Sequence, residues 1–97
     1  MEKILITPRS FAKISDEPIR MLEKAGYEVI LNPYGRIMTK EQMFEQVQEV
    51  SGIIIGVDPL DKDVLKVATK LRAIEKYGVG TDNIDLDYAR ERRIPCR

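Results

Sequence analysis

"GIIIG", residues Gly52–Gly56, is an apolar run with no polar alternation, closed at each end by glycine. A strand with one wet face alternates apolar and polar residues; an unbroken run is expected where both faces are covered. Working outward, "KILIT" (Lys3–Thr7) is a second such run, ended by Pro8. "YEVIL" (Tyr27–Leu31) and "LRAIEKY" (Leu71–Tyr77) read as two more strands, and "RIPCR" as the opening of a fifth.

Between the strands the pattern changes to a helical period. "SDEPIRMLEKAG" starts with polar and acidic residues, places Pro18 in the first turn and repeats Ile19, Leu22 and Ala25 before Gly26. Thr39 and Gln42 form a capping box for a helix with Met43, Val47 and Val50 inward. Asp61 caps a third helix with Val64, Leu65 and Ala68 inward, and Leu86 to Arg92 forms a short fourth. Strands alternating with helices predict βαβ units, hence a parallel sheet with helices on both faces. The fold class is α/β, in one domain.

Composition excludes several functions. Sixteen Lys plus Arg balance sixteen Asp plus Glu, so no basic excess favours nucleic acid. The apolar runs are far shorter than the ~20 residues that span a bilayer, so no membrane partner is expected. The N-terminal run is too short for a signal peptide, and a cytoplasmic setting is expected. One cysteine, Cys96, permits neither an internal disulfide nor a Cys-based zinc site. With no histidine there is no imidazole base, no Ser-His-Asp arrangement and no His metal ligand. Catalysis by this chain alone would rest on carboxylates, Lys, Tyr or the one Cys, and no catalytic, metal or cofactor-binding residue is assigned.

"KYGVGTDNID" (Lys76–Asp85) follows the fourth strand, at the sheet edge where ligands of doubly wound folds lie. Gly78-Val79-Gly80 has two readings: an ordinary tight loop, or a turn whose amides point outward and cradle an anion. It is not a dinucleotide turn. G-x-G-x-x-G needs glycine at 83, where Asn83 stands, and the motif belongs after the first strand. A phosphate-receiver domain would place an acidic pair after the first strand, where "TPRSF" has none; Asp58 reads as a turn former. A flavin-phosphate loop at the same place would be rich in Ser, Thr and Gly, unlike Pro8 to Phe11.

"ITPRSF" and "GVDPLDKDVLKVATKLRAIEKYGVGTDNIDLDYARERRIP", in that order, resemble the D-2-hydroxyacid dehydrogenase family, especially its phosphoglycerate dehydrogenase-like members. The likeness runs from residue 4 to residue 95 and is most specific from Lys76 to Asp85. It implies a flavodoxin-like doubly wound sheet, the N-terminal part of a substrate-binding domain. A returning C-terminal segment and an inserted Rossmann domain that binds NAD would lie outside residues 1–97, together with the family's catalytic arginine, glutamate and histidine. The 97-residue chain alone is then expected to be inactive and to bind no NAD.

The resemblance further implies that the amides of Val79 and Gly80 hold the substrate carboxylate, with Tyr77 and Gly78 shaping the turn. Asp82 and Asn83 order the loop, and Asp85 caps the last helix. Arg9, in the loop after the first strand, is a candidate for a second anionic group, with a solvated surface arginine as the alternative. The expected partners are a small 2-hydroxy or 2-keto acid and further copies of the chain. Two other readings remain: a stand-alone small-anion module, or a self-associating structural α/β unit. Two departures matter. Phosphoglycerate-specific members tend to carry a basic residue after the third strand, where this chain has Gly56-Val57-Asp58-Pro59. The family also favours glycine after the last helix, where Arg93 stands. A left-handed non-glycine cap costs on the order of 1 kcal/mol, so that helix is expected to end differently.

Overall fold

A computed structural model of the chain describes residues 2–8, 17–78, 80 and 82–96. Strand β1 (Lys3–Ile6) leads to α1 (Glu17–Lys24), β2 (Glu28–Leu31), α2 (Lys40–Gln46), β3 (Gly52–Ile55), α3 (Lys62–Val67), β4 (Ala73–Lys76) and α4 (Leu86–Glu91). The strands form one sheet in the order β2-β1-β3-β4, every pair parallel. That order is the flavodoxin-like one, with a reversal of winding between β1 and β3. The expected fifth strand appears as its first contact. Cys96 bridges Ile74 in parallel, and the Ile74 amide donates to the Pro95 carbonyl at 2.9 Å.

The local signals hold. The Thr39 hydroxyl accepts from the Gln42 amide at 3.2 Å while the Gln42 side chain accepts from the Thr39 amide at 3.0 Å. Asp61 accepts from Val64 N at 3.1 Å and Asp85 from Tyr88 N at 3.0 Å, each satisfying an amide that the helix leaves unpaired. The inward residues of α2 and α3 pack with Leu5, Ile53, Ile55 and Ile74 into one core; Met43, Val47, Val64, Leu65 and Ala68 are fully buried. Each such aliphatic side chain contributes roughly 1.5–3 kcal/mol on burial. Arg92 adds a polar tie: its guanidinium donates to the Leu65 carbonyl and, at 2.9 Å, to that of Ala68, the open end of α3.

Two expectations need correction. The unbroken run in β3 implied two covered faces, yet its burial alternates: Ile53 and Ile55 are buried while Ile54 is half-buried. Helices α2, α3 and α4 share the Ile53 face, whereas α1 is the described helix on the other. There Ile4, Leu22, Ile54, Ala73 and Pro95 line an apolar hollow of about 280 Å³. Accordingly Ile19 and Leu22 are half-buried and Ala25 exposed.

Helix α4 also departs from the expectation. It ends with Arg93 in the left-handed region, φ 57°. Ile94 N donates to Ala89 O at 2.9 Å and Arg93 N to Arg90 O at 3.0 Å. This pair of bonds is the Schellman closure that glycine ordinarily makes. Ile94 and Ala89 are both buried, and their packing supplies the reason the chain turns there without glycine.

Candidate functional site

The carboxyl edge of the sheet is tied together by polar groups spaced along it. Asn32, past β2, donates to the carbonyl of Thr7 at 3.1 Å and to that of Arg36 at 2.7 Å, and accepts from Tyr34 N at 2.9 Å. Thr7, past β1, is buried; its hydroxyl accepts from Gly56 N at 2.9 Å. Pro8 lies over Gly56 so closely that a Cβ at residue 56 would come within 3.3 Å of the proline ring. Only glycine fits there without displacement. Among the described residues, Thr7 and Pro8 thus bridge β1 to the loop after β3 at the edge where a flavodoxin-like sheet ordinarily opens to a ligand.

Asp58 follows in the same loop and is 2% exposed. Its carboxylate accepts from Met38 N at 2.7 Å, so it ties the loop after β3 to the loop before α2. The expected turn-forming aspartate is thus a buried acceptor that joins two loops. Val57, between Gly56 and Asp58, points outward at 61% exposure.

Past β4 the backbone changes character. Tyr77 N still donates to Ile55 O at 2.9 Å, extending the ladder by one residue. Gly78 and Gly80 then adopt φ 102° and 85°, a backbone that side-chain-bearing residues rarely take. Both are exposed, and a Cβ at either would meet nothing within 4 Å. Glycine is thus required by conformation and not by crowding. Among the described residues nothing bonds the Gly80 amide. A backbone that passes through positive φ can turn main-chain amides toward an anion.

Asn83 orders the far end of the loop, as expected. Its side-chain amide donates to Gly56 O at 3.0 Å and Asp58 O at 2.7 Å, and its carbonyl accepts from Leu60 N at 2.8 Å. Lys76 was not singled out from the sequence. Its ammonium donates to Gly56 O and, at 3.3 Å, to Asn83 Oδ1. A signal existed: Lys76 falls at the parity of buried Ile74, the inward face of β4. A lysine at an inward position needs its head group carried to a polar partner.

Tyr77, Gly78 and Gly80 therefore lie together on the expected edge. Val79 and Arg9 lie outside the described residues. Among the described residues no cluster of His, Cys, Asp or Glu suits a metal, and no helix is long and apolar enough to cross a membrane.

Comparison with known proteins matches residues 4–96 to the catalytic domain of the D-isomer specific 2-hydroxyacid dehydrogenases. The chain belongs to this family. It is 37% identical over 93 residues to a glyoxylate reductase of Thermococcus litoralis, covering 95% of this chain and 27% of that protein. It is 30% identical to a D-3-phosphoglycerate dehydrogenase of Methanocaldococcus jannaschii, covering 97% of this chain and 17% of the relative. Among solved structures, the TT0316 protein of Thermus thermophilus superimposes with a TM-score of 0.81 at 31% identity, over 97% of this chain and 29% of that one. The NAD+-bound 3-phosphoglycerate dehydrogenase of Entamoeba histolytica gives 0.80 at 31% identity, over 98% and 32%. This family member thus spans about a quarter of the length of the T. litoralis reductase. The relatives are oxidoreductases by name, and the four-stranded parallel sheet agrees with the structures it matches.

Proposed function

We propose that residues 1–97 are part of the substrate-binding domain of a D-2-hydroxyacid dehydrogenase and supply its carboxylate-binding turn. In the complete enzyme the reaction is reversible hydride transfer between C2 of a 2-hydroxy acid and NAD. The observation that carries this reading is the pair Gly78 and Gly80, both exposed and both at positive φ, just beyond β4 in a chain of this family. Main-chain donors suit a carboxylate because they are fixed before the ligand arrives and need no counter-charge. The substrate is accordingly a small 2-hydroxy or 2-keto acid.

NAD does not fit the residues in hand. The position where a dinucleotide turn needs its third glycine is Asn83, whose side chain is committed to Gly56 and Asp58. Cofactor binding is therefore assigned to the rest of the complete enzyme, and no role here depends on it. Val57 in the loop after β3, with no cation from Gly56 to Pro59, favours an unphosphorylated acid.

The test is a titration of the 15N-labelled chain with glyoxylate, followed by amide shifts. Saturable shifts centred on Gly78 to Gly80, lost in Gly80→Ala, are expected. Shifts that fail to saturate, or that centre elsewhere, refute the reading. The open face around Ile54 and Ala73 also favours self-association as a second property, which sedimentation of the chain would reveal as a dimer.

A further inference from the structure

We propose that Lys76 and Asn83 are positioning residues for the glycine turn, and that anion affinity depends on the clamp they form on the carbonyl of Gly56. This rests on the carboxylate reading above and adds to it the device that holds the turn in place.

The geometry is a loop fastened at both ends to one oxygen. Lys76 closes β4 immediately before the turn, and Asn83 follows it. The Lys76 ammonium and the Asn83 side-chain amide both donate to Gly56 O, the latter at 3.0 Å. They also bond each other at 3.3 Å, and Asn83 reaches on to Asp58 O at 2.7 Å. Gly56 is itself immobilised through its amide on the Thr7 hydroxyl at 2.9 Å and by Pro8 packed over it. The anchor point is thus part of the rigid sheet edge.

Between the two anchors lie Gly78 and Gly80, and glycine backbone is intrinsically freer than that of residues with a side chain. A Cβ built at Gly78 or Gly80 would meet no atom within 4 Å, so no packing against a side chain at either position would restrain it. On the carboxylate reading, their amides meet an anion together only while the loop ends keep their separation. Loosening one end lets two glycines sample other states, and the ligand must then reorder them on binding. Lys76 acts in a second way. It is half-buried, no described carboxylate pairs with it, and its positive charge sits at the base of the turn. Such a charge raises the potential that an incoming carboxylate meets.

A purely structural clamp would lower stability and leave affinity unchanged once the protein is folded. The experiment separates the two by measuring both quantities on the same samples. Lys76→Met, Lys76→Arg, Asn83→Ala and the double variant Lys76→Met/Asn83→Ala are titrated with glyoxylate, read at the Gly78 and Gly80 amides. Each is measured at a temperature where circular dichroism shows it fully folded. Lys76→Met and Asn83→Ala are expected to raise Kd at least fivefold. Lys76→Arg, which keeps the charge and a donor, is expected to stay within threefold of the unaltered chain. The double variant should lose less than the product of the single losses, because both groups share one acceptor. Should Asn83→Ala fail to fold, Asn83→Gln keeps the amide but moves it by one methylene and carries the same expectation. Folded Lys76→Met and Asn83 variants that bind as the unaltered chain does would overturn the clamp while leaving the carboxylate site standing. Absence of binding by the unaltered chain would overturn both.

Discussion

Replacing Arg93 by glycine is expected to stabilise the chain. Arg93 holds φ 57° in a closure whose two bonds, Ile94 N to Ala89 O and Arg93 N to Arg90 O, are main-chain only and survive the change. Its side chain is exposed and pairs with no described residue, so little contact is lost. An L-residue in the left-handed region costs roughly 1–2 kcal/mol. Glycine gives back about 0.4–1 kcal/mol of that through the greater freedom of the unfolded chain. The net gain then centres on about 0.8 kcal/mol, or a rise in Tm of about 3–6 °C for a chain of this size. The structure supplies its own control. Helix α1 ends in the same closure, with Tyr27 N on Leu22 O at 3.1 Å and Gly26 N on Glu23 O at 3.0 Å, but glycine holds the left-handed position at φ 95°. Gly26→Ala is therefore expected to destabilise by about 1 kcal/mol. Urea unfolding by circular dichroism reads both, as midpoint shifts of opposite sign at constant slope. An unchanged or lowered midpoint for Arg93→Gly would refute the cost assigned to that backbone.

Thr7→Val keeps the buried shape but removes the acceptor of the Gly56 amide, and a loss of about 1–3 kcal/mol is expected in the same unfolding assay. Cys96 is partly buried beside β4, and burial pushes its thiol above the ordinary value of 9.0. Its thiolate is the reactive form, so alkylation by iodoacetamide at pH 8 should run slower than that of free cysteine and match it in urea. A native rate equal to the unfolded one would contradict that burial. Val57→Arg places a cation in the loop whose flanking carbonyls Asn83 holds. Such an exposed charge is worth about 1 kcal/mol, so affinity for a phosphorylated 2-hydroxy acid relative to glyoxylate should rise about fivefold. An unchanged ratio in paired titrations would remove Val57 from the vicinity of the bound acid.

The architecture was legible because its signals are local. Caps at Thr39, Asp61 and Asp85 involve residues three apart, and the apolar periods of α2 and α3 name their own buried sides. What escaped the sequence depends on distant pairs. The half-open face over Ile54 could not be read from β3, because an isoleucine looks the same whether or not a helix lies above it. Asp58 passed for a turn residue because its partner, Met38 N, lies 20 positions away. Arg93 shows a different failure: the rule against a left-handed arginine is sound as a cost, but burial of Ile94 beside Ala89 outweighs it. The role of Lys76 could not be read from its own stretch, because its partner carbonyl belongs to the loop after β3.

These long-range ties also bear on where the proposed carboxylate site lies. In a sheet of order 2-1-3-4 the natural mouth for a ligand is the crevice between β1 and β3, where the connections diverge. Here the Thr7 hydroxyl and the Gly56 amide bond across that crevice, and Pro8 packs onto the glycine at its centre. The Gly80 amide, which nothing bonds among the described residues, belongs to the next connection along, the turn after β4. Closing the first mouth produces the anchor for the second: Gly56, held from one side by Thr7, presents its carbonyl on the other to Lys76 and Asn83. A change at Thr7 should therefore be felt at Gly80, although the two residues belong to different loops. If Thr7→Val left the Gly80 amide shift and its response to glyoxylate unaltered in the folded protein, the two halves of this edge would be independent and the coupling drawn here would be wrong.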